Sequence, residues 1–383
     1  MPRVLQIALD CLEEKGGIFK AVRDFQRVLG GTVLSFTVPD LIPESRNTDF
    51  LHIPIATGPF ARRYGVPHLG TLRQVVQEYL RDIQLIVVHG MYRYHTQWAA
   101  NYARAHRIPY WVVPHGALDP WVFSYRRVPK QAWMRLIGAR ILREANAVIV
   151  TTAREGRKGT PYLAGCNVRV VHLPVQQLGT NGREDARLHV RKQLGIPVNA
   201  RILLFLGRLH PMKRVIETIG AVHKAEHPDV HLVVVGPGTT EMPLDELRTR
   251  VRMLGAQNVH VVGPYFGAAK DRWLLGADGF ISLSHRENFN YSAAEALACG
   301  LPVILSPGND LAPEISPNRV GWLLGSFALD EAADAIRQFG QSSMKELEDM
   351  GAAGAFWASA NLTDTAFATA LPIVGDGNAR ENR

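Results

Sequence analysis

The chain has 383 residues, which exceeds one ordinary hydrophobic core, so we expect two domains. Its composition is globular, with 46% hydrophobic residues, and no apolar run of about 18 residues predicts a transmembrane helix. The net charge of +8 occurs without a zinc-finger, helix-turn-helix or RNA-binding signature, which favours a phosphorylated substrate or an anionic membrane over nucleic acid. The three cysteines, at unrelated spacings, form neither a metal knuckle nor a disulfide framework. We therefore expect a cytoplasmic protein.

A strand is predicted for residues 3–9, and Gly16-Gly17 stands at the head of the helix that follows. Two glycines at a strand-to-helix turn allow close backbone approach to a phosphate, and a plain tight turn is the alternative. Residues 51–69 are rich in proline, glycine and arginine and are expected to form a loop excursion.

Two apolar runs, residues 85–90 and 110–116, each end in His-Gly, with a helix predicted between them over residues 97–106. Strands that alternate with helices predict a parallel, doubly wound sheet, and such sheets bind ligands at the carboxyl ends of their strands. His89 and His115 both stand there. His115, in the run Pro-His-Gly-Ala-Leu-Asp-Pro-Trp, is the stronger candidate for hydrogen bonding or proton relay. The alternative, which we prefer for His89, is an imidazole that satisfies backbone carbonyls.

Residues 126–143 carry six basic side chains and no acidic one. Interleaved tryptophan, leucine and isoleucine predict an amphipathic helix that begins near Pro129. Such a helix could lie on an anionic membrane or bind a lipid diphosphate. For most of these residues a solvated helix face is the preferred interpretation.

The second half begins after a linker, which we place at residues 173–184. The first domain then covers residues 1–172, the second covers 185–350, and residues 351–383 form a C-terminal helix returning to the first domain and a frayed tail. A strand at 202–206 precedes Arg208 and Lys213, which straddle a strand-to-helix turn. Both cationic side chains could reach one diphosphate there, with surface charges as the alternative.

Two glutamates follow in the segment that begins at His285. A buried strand, residues 279–283, leads into a polar loop with Glu287 and a helix with Glu295. Carboxylates near a helix N-terminus suit a hydroxyl-rich ligand, although on spacing alone two incidental glutamates are the preferred interpretation. Before them, Tyr265 follows a strand at 259–263 and could stack on a base or belong to the core.

These segments resemble the family 4 retaining glycosyltransferases, which have the GT-B fold. The family's donor-binding signature is matched by Glu287-Asn288-Phe289, by Glu295-Ala296 and by Ala-Cys-Gly-Leu-Pro-Val at residues 298–303. Asn290 stands where the family usually has glycine, which affects the expected identity of the donor sugar. The Gly-Arg-Leu…Lys segment around Arg208 also matches. The 114–121 run resembles members that build bacterial surface polysaccharides.

The resemblance implies two Rossmann-like domains facing across a cleft, and a retaining, metal-independent transferase of the hexosyltransferase type. Arg208 and Lys213 would hold the donor diphosphate, Glu287 the sugar hydroxyls and Glu295 the ribose. His115 would lie beside the donor sugar, and Tyr265 near the base. The implied catalytic residues are Glu287, Lys213, Arg208 and His115, and the implied donor-binding residues are Gly16, Gly17, Arg208, Lys213, Tyr265, Glu287, Asn288, Phe289, Asn290 and Glu295.

The expected partners are a nucleoside-diphosphate sugar as substrate and a glycan or lipid-linked acceptor, with no cofactor, no metal and no nucleic acid. The cytoplasmic face of the cell membrane is a further expected contact. Two other classes remain open from the sequence. A nucleotide-sugar epimerase or hydrolase would turn over the donor without an acceptor. A non-catalytic binder, considered because of Asn290, would bind the donor without any product.

Overall fold

The computed structural model describes residues 3–12, 16–42, 50–124 and 127–373. The chain divides into two compact units, called here unit 1 (Met1–Leu173 with Phe367–Arg383) and unit 2 (Pro174–Ala366). Among the helices that the structure describes, none combines the length and the hydropathy that a membrane span requires.

Unit 1 is a seven-stranded sheet in which each pair of neighbouring strands is parallel. Its strand order is β3-β2-β1-β4-β5-β6-β7, the doubly wound arrangement that strand–helix alternation predicted. The strands are β1 (Val4–Leu9), β2 (Thr32–Thr37), β3 (Phe50–Pro54), β4 (Leu85–His89), β5 (Tyr110–Val113), β6 (Ala147–Val150) and β7 (Val168–Val170).

The central strands of unit 1 are buried on both faces, as unbroken apolar runs such as Leu85–His89 require. The helices that cover this sheet and its edges are α1 (Gly17–Leu29), α2 (Pro59–Tyr64), α3 (Leu69–Tyr79), α4 (Tyr94–His106), α5 (Pro120–Ser124), α6 (Arg127–Trp133), α7 (Ala139–Glu144) and α8 (Ala153–Leu163). A π-helical turn, Met134–Gly138, joins α6 to α7, so the predicted basic helix is present. Arg126 lies outside the described residues.

The prediction of a loop over residues 51–69 is wrong. Most of β3 and all of α2 lie within it, and β3 pairs with β2 at the edge of the sheet. An edge strand needs no long apolar run, because only one side of its backbone is paired and its side chains remain partly exposed. Gly58 and Pro59, which indicated a loop, instead stand at the start of α2, where proline is favoured.

Unit 2 is a six-stranded parallel sheet with the order β10-β9-β8-β11-β12-β13. Its strands are β8 (Arg201–Leu206), β9 (Val230–Val235), β10 (Val259–Gly263), β11 (Gly279–Ser282), β12 (Val303–Leu305) and β13 (Gly321–Leu323). Its helices are α9 (Arg183–Leu194), α10 (Val215–Ala225), α11 (Leu244–Met253), α12 (Gly267–Gly276), α13 (Tyr291–Ala298), α14 (Ala312–Ile315), α15 (Leu329–Gln341) and α16 (Met344–Asn361).

The boundary expected at residue 351 falls inside α16. A capping box of Ser343 and Glu346 starts this helix, and a Cβ on Gly351 would lie 2.1 Å from the carbonyl oxygen of Gly300, so only glycine permits this approach to the end of α13. The helix that contains Phe356 therefore belongs to unit 2. The chain enters unit 1 again within the last helix, α17 (Asp364–Ala370), whose Phe367 is buried.

Candidate functional site

Lys213 and Glu287 form an ion pair at the carboxyl edge of the unit 2 sheet. Lys213 follows β8 and Glu287 follows β11, and these strands are neighbours, so their following loops meet. The lysine side chain is 20% exposed and the glutamate side chain 11% exposed. This partial burial keeps both charges within reach of a ligand and protects them from full solvent screening.

The Glu287 carboxylate is held in place by side-chain and backbone contacts. The Ser284 hydroxyl donates to its Oε1 at 2.8 Å, and the Glu287 amide donates to the carbonyl of Gly308 at 2.9 Å. Gly308 lies under this loop, where a Cβ would stand 2.2 Å from the carbonyl oxygen of Ser284. The sequence places glycine there because another residue would push the loop outward.

The Lys213 loop is fastened to the Glu287 loop. Lys213 ends a 3₁₀ turn in which the His210 ring accepts a hydrogen bond from the Met212 amide at 3.1 Å. The carbonyl of Met212 in turn accepts from the amide of His285 at 2.9 Å. The lysine and the glutamate are thus carried by two loops that share a backbone hydrogen bond.

Arg214, the residue after Lys213, is buried although it carries a charge. It is 8% exposed, its Nη2 donates to the carbonyl of Phe327 at 3.1 Å, and its guanidinium lies 5.3 Å from the centre of the Phe327 ring. Its backbone is left-handed, with φ of 55°, a conformation that favours glycine. These side-chain contacts offset part of the strain of the left-handed backbone.

Arg208 is exposed and has no hydrogen-bonded or ion-paired partner among the residues that the structure describes. It follows Gly207 at the end of β8, and the Lys213 stem passes that glycine, with its Cε 3.9 Å from the position of a Cβ on Gly207. The Lys213 side chain thus approaches Gly207, the residue that directly precedes Arg208. Its guanidinium is available to an anionic ligand.

Glu295 belongs to a second ion pair, with Lys270 of α12, at 2.6 Å between Nζ and Oε2. The glutamate is buried on α13 and the lysine is partly exposed. Sequence reasoning missed Lys270; its signal was a lysine in the first turn of the helix that follows Tyr265. The structure thus brings Lys213 directly to Glu287 and gives Glu295 a different cation.

Asn290 is left-handed, with φ of 61°, and caps α13 by accepting from the Ala293 amide at 3.3 Å. Its side-chain nitrogen donates to Ser282 Oγ at 3.1 Å and to the side-chain oxygen of Asn309. The side-chain nitrogen of Asn309 donates onward to the backbone carbonyl of Ser282 at 3.0 Å. The Asn290 side chain therefore points into a buried polar network, which sequence reasoning had not foreseen.

The other predicted donor contacts of unit 2 are mixed. The Phe289 side chain is buried against Tyr291, with ring centres 5.2 Å apart, so only its backbone can meet a ligand. Asn288 is partly exposed in the same loop. Tyr265 is partly buried and packs on Trp273 at 5.3 Å, in a tilted arrangement. Tyr265 keeps one accessible side, in agreement with either of the two roles considered for it.

In unit 1, His115 follows β5 in a left-handed conformation, with φ of 52°. Its Nε2 lies 3.0 Å from His89 Nδ1, and the two rings lie end to end, with centres 5.2 Å apart and planes 15° apart. The following amide, that of Gly116, donates to the buried carboxylate of Glu155 at 2.5 Å. Desolvation by burial lowers the pKa of His115 to about 4. His115 is therefore neutral at pH 7.

Gly16 and Gly17 begin α1, with Gly16 at the N-cap and φ of 75°. No side chain caps this helix, and a Cβ on Gly16 would meet no atom within 4 Å among the described residues. In the described part of the chain nothing fills the space above Gly16, which agrees with backbone approach by a ligand. The turn residues before it, 13–15, lie outside the described part of the chain.

Two family models match the chain. One, described as glycosyl transferases group 1, matches residues 187–356, which include both lysine–glutamate pairs. The other, described as a glycosyl transferase 4-like domain, matches residues 40–175. Residues 187–356 thus form a group 1 glycosyltransferase domain, and residues 40–175 form a glycosyl transferase 4-like domain. The recognition drawn from Glu287, Glu295 and the Arg208 segment is confirmed.

Curated relatives match part of the chain. The D-inositol 3-phosphate glycosyltransferase of Actinosynnema mirum is 31% identical over 214 residues, covering 53% of this chain and 51% of the relative. A putative teichuronic acid biosynthesis glycosyltransferase, TuaC of Bacillus subtilis, is 26% identical over 246 residues, covering 63% and 57%. The chain spans about half the length of the first curated relatives that it matches.

Solved structures match nearly the whole chain. Sucrose-phosphate synthase from Thermosynechococcus elongatus has a TM-score of 0.75 at 21% identity, covering 96% of this chain and 97% of its own. HepE of Anabaena, in complex with UDP and glucose, has a TM-score of 0.72 at 20% identity, covering 95% and 97%. At these identities the likeness establishes the fold, and the predicted GT-B class is confirmed.

Proposed function

We propose that this protein is a retaining glycosyltransferase that moves a sugar from a nucleoside-diphosphate sugar to a glycan or lipid-linked acceptor. Surface polysaccharide assembly is the process we propose for it, because the 114–121 run resembles enzymes of that kind. The observation that carries the proposal is the Lys213–Glu287 pair at the ligand-binding edge of the group 1 domain. Solved neighbours of the same fold bind UDP and UDP-glucose, which supports a nucleotide-sugar donor.

The pair provides a way to recognise both parts of the donor. Without a ligand, Lys213 and Glu287 neutralise each other. A donor diphosphate carries oxygens that compete for the lysine, and Arg208 adds a guanidinium fork that matches two phosphate oxygens. Glu287, still held by Ser284, then has capacity to accept hydrogen bonds from sugar hydroxyls.

The same cations serve catalysis. When the bond to the sugar breaks, negative charge grows on the leaving diphosphate, and Lys213 and Arg208 stabilise that charge. We propose that this replaces the divalent cation used by other transferases. Glu295, whose direction is fixed by Lys270, accepts from the ribose hydroxyls. The acceptor hydroxyl attacks on the face that the leaving group vacates, its proton passes to the leaving diphosphate oxygen, and no enzyme nucleophile takes part.

The contacts of Glu287 argue against covalent attack by this residue. Its Oε1 is bound by an ammonium and by a hydroxyl, and both contacts withdraw electron density from the carboxylate. A nucleophilic carboxylate would have to give up these partners as it attacked. Mass spectrometry of the protein with a slow 2-fluoro sugar donor is therefore expected to show no adduct, and a glycosyl group on Glu287 would contradict the mechanism.

A membrane role for the basic segment from α6 to α7 forms part of the proposal. Val128 is 77% exposed and directly follows Arg127, and Leu136 is 79% exposed and directly follows Arg135. Apolar side chains among cations suit the boundary of an anionic bilayer, where a lipid-linked acceptor would be found. Phosphatidylglycerol vesicles should bind the protein in a salt-dependent way. Leu136→Glu should abolish that binding, whereas no binding by the wild type would remove this part of the proposal.

Donor and activity can be tested in two steps. Thermal shifts with UDP-, GDP- and ADP-sugars identify the donor, because a ligand that binds only the folded state raises its apparent stability. Nucleoside diphosphate release is then followed with and without lipid-diphosphate and glycan acceptors. Release that needs an acceptor, with the product's anomeric configuration retained, supports the proposal. Equal release without acceptor would indicate an epimerase or hydrolase, and donor binding without product a non-catalytic protein.

The sequence-based reason for a non-catalytic protein was Asn290 in place of glycine. Asn290 adopts the left-handed backbone that glycine would supply, and its amide is taken up by Ser282 and Asn309. The substitution therefore keeps the loop conformation and adds no side chain facing a ligand, which favours the catalytic proposal.

A further inference from the structure

Three side chains of unit 1 form a continuous hydrogen-bonded chain. Gln6 on β1 lies 2.9 Å from His89 Nε2, and His89 Nδ1 lies 3.0 Å from His115 Nε2. Strands β1, β4 and β5 are neighbours, so these hydrogen bonds run across the carboxyl half of the sheet. Gln6 and His89 are buried, whereas His115 is partly exposed.

The orientation of the Gln6 amide is fixed by helix α1. The carbonyl of Val22 lies 3.2 Å from one end of the amide, and the backbone N–H of Gln26 lies 3.0 Å from the other. A carbonyl accepts and an N–H donates, so the amide nitrogen must face Val22 and the oxygen must face Gln26. In this orientation the same nitrogen donates to His89 Nε2.

This orientation propagates through both imidazole rings. His89 accepts at Nε2, and burial, with His115 and His95 nearby, lowers its pKa well below the usual value, so the neutral ring carries its hydrogen on Nδ1. That N–H donates to Nε2 of His115. The neutral His115 ring must then carry its own hydrogen on Nδ1, which has no hydrogen-bond partner among the described residues.

We propose that Gln6 and His89 are positioning residues that hold His115 as a hydrogen-bond donor through Nδ1–H. His115 then binds a substrate oxygen and does not accept a proton from the acceptor, because its only basic nitrogen is occupied by His89. This inference rests on the proposed function in one respect, namely that the oxygen belongs to a sugar or phosphate. It replaces the proton relay considered from the sequence.

Long-range ¹H–¹⁵N spectra of histidine-labelled protein at pH 7 test the tautomer without any activity. The wild type is expected to show His115 with a protonated Nδ1 and an unprotonated Nε2, assigned by the signal lost in His115→Asn. His231 and His260 of unit 2, which are also joined by a ring-to-ring hydrogen bond of 3.0 Å, are an internal reference that variants of unit 1 should leave unchanged. A proton on Nε2 of His115 in the wild type would overturn the inference.

A matched pair of variants tests the positioning role. In His89→Asn, the side-chain N–H takes the place of Nδ1–H and can still donate to His115, whereas His89→Leu cannot. The first should keep the Nδ1–H signal of His115, and the second should shift it to the Nε2–H form or to an average. Gln6→Met, which has similar length but no donor, should relax the tautomer as well. An unchanged His115 signal in His89→Leu would refute the positioning role of His89.

Turnover provides a separate measurement. We expect kcat to fall about tenfold in Gln6→Met and His89→Leu, the factor that one hydrogen bond of about 1.4 kcal/mol represents, and to change less than about twofold in His89→Asn. Equal losses in His89→Asn and His89→Leu would assign these residues to folding alone. If no donor is turned over by the wild type, the proposed function fails, while a wild-type Nδ1–H spectrum still confirms the assignment.

Discussion

Replacing Lys213 by methionine tests the proposed role of the Lys213–Glu287 pair. Methionine keeps most of the unbranched side chain and removes the charge. Two unit charges about 4 Å apart interact by about 4 kcal/mol at an effective dielectric constant of 20, and part of that energy already acts in the bound donor. Loss of a single charge-stabilising donor in other enzymes lowers kcat by about 10²–10³. We expect a decrease in that range.

The folded state should tolerate this change. Glu287 retains the Ser284 hydroxyl and its backbone hydrogen bond to Gly308, and the pair is partly exposed. Removing one partner of a largely buried ion pair costs up to about 3–5 kcal/mol, and the contacts that Glu287 keeps offset part of that cost, so we expect a loss of about 2 kcal/mol and a melting temperature lower by less than about 8 °C. A large loss of stability would instead assign the pair to folding.

Lys270→Met is the matched control, because it removes the same charge from the other lysine–glutamate pair. In our account Lys270 directs Glu295 toward the ribose, so this variant should raise the KM for the donor and leave kcat nearly unchanged. Both variants are assayed by nucleoside diphosphate release with saturating acceptor. A kcat for Lys213→Met within about threefold of the wild type would refute the electrostatic argument.

Three further predictions concern stability. Asn290→Ala should lower the free energy of unfolding by about 2 kcal/mol or more in chemical denaturation, because it removes the α13 cap and strains a left-handed backbone. Asn290→Gly should lower it by less, and equal losses in the two variants would contradict this reason. Phe367→Ala should cost about 3–5 kcal/mol, because its ring packs edge-on against Phe25 at 4.9 Å, whereas an unchanged unfolding midpoint would remove α17 from the unit 1 core. Desolvation by burial lowers the pKa of His95 to about 4 in the folded chain, below its usual 6.5. Between these two pH values the unfolded chain binds more protons than the folded chain, so the melting temperature should fall as the pH drops from 7 to 5. His95→Asn should weaken that pH dependence, and a melting temperature independent of pH would contradict it.

Much of the fold follows from sequence patterns. Unbroken apolar runs such as Leu85–His89 predict strands of a parallel sheet, and their alternation with helices predicts the doubly wound order. The edge strand β3 was missed because only one of its five residues is fully buried, so it lacks the apolar pattern that identifies interior strands. Its pairing with β2 is a tertiary contact, which no local pattern contains.

The site was predictable in part for similar reasons. Lys213 and Glu287 could be chosen because both follow strands at the ligand-binding edge, and their contact follows from adjacent strands. Side-chain direction could not be foreseen: Arg214 turns toward Phe327, and Glu295 is paired by Lys270, a residue 25 positions earlier. These directions depend on which loops meet, and the order of strands in the sheet decides that.

The hydrogen bonds that connect Gln6, His89 and His115 could not be predicted from the sequence, because Gln6 is 83 residues from His89. A glutamine within a buried strand is itself a signal, since a buried amide requires partners for its donors and its acceptor. The identity of those partners depends on the register of β1 against β4 and on the position of α1. That information resides in the packed structure.

The most direct test is a crystal structure of the chain with the nucleoside diphosphate that gives the largest thermal shift. Our account predicts the diphosphate in contact with Arg208 and Lys213, the Lys213–Glu287 ion pair opened, and the ribose hydroxyls on Glu295. A nucleotide bound away from these residues, with the Lys213–Glu287 pair intact, would contradict it.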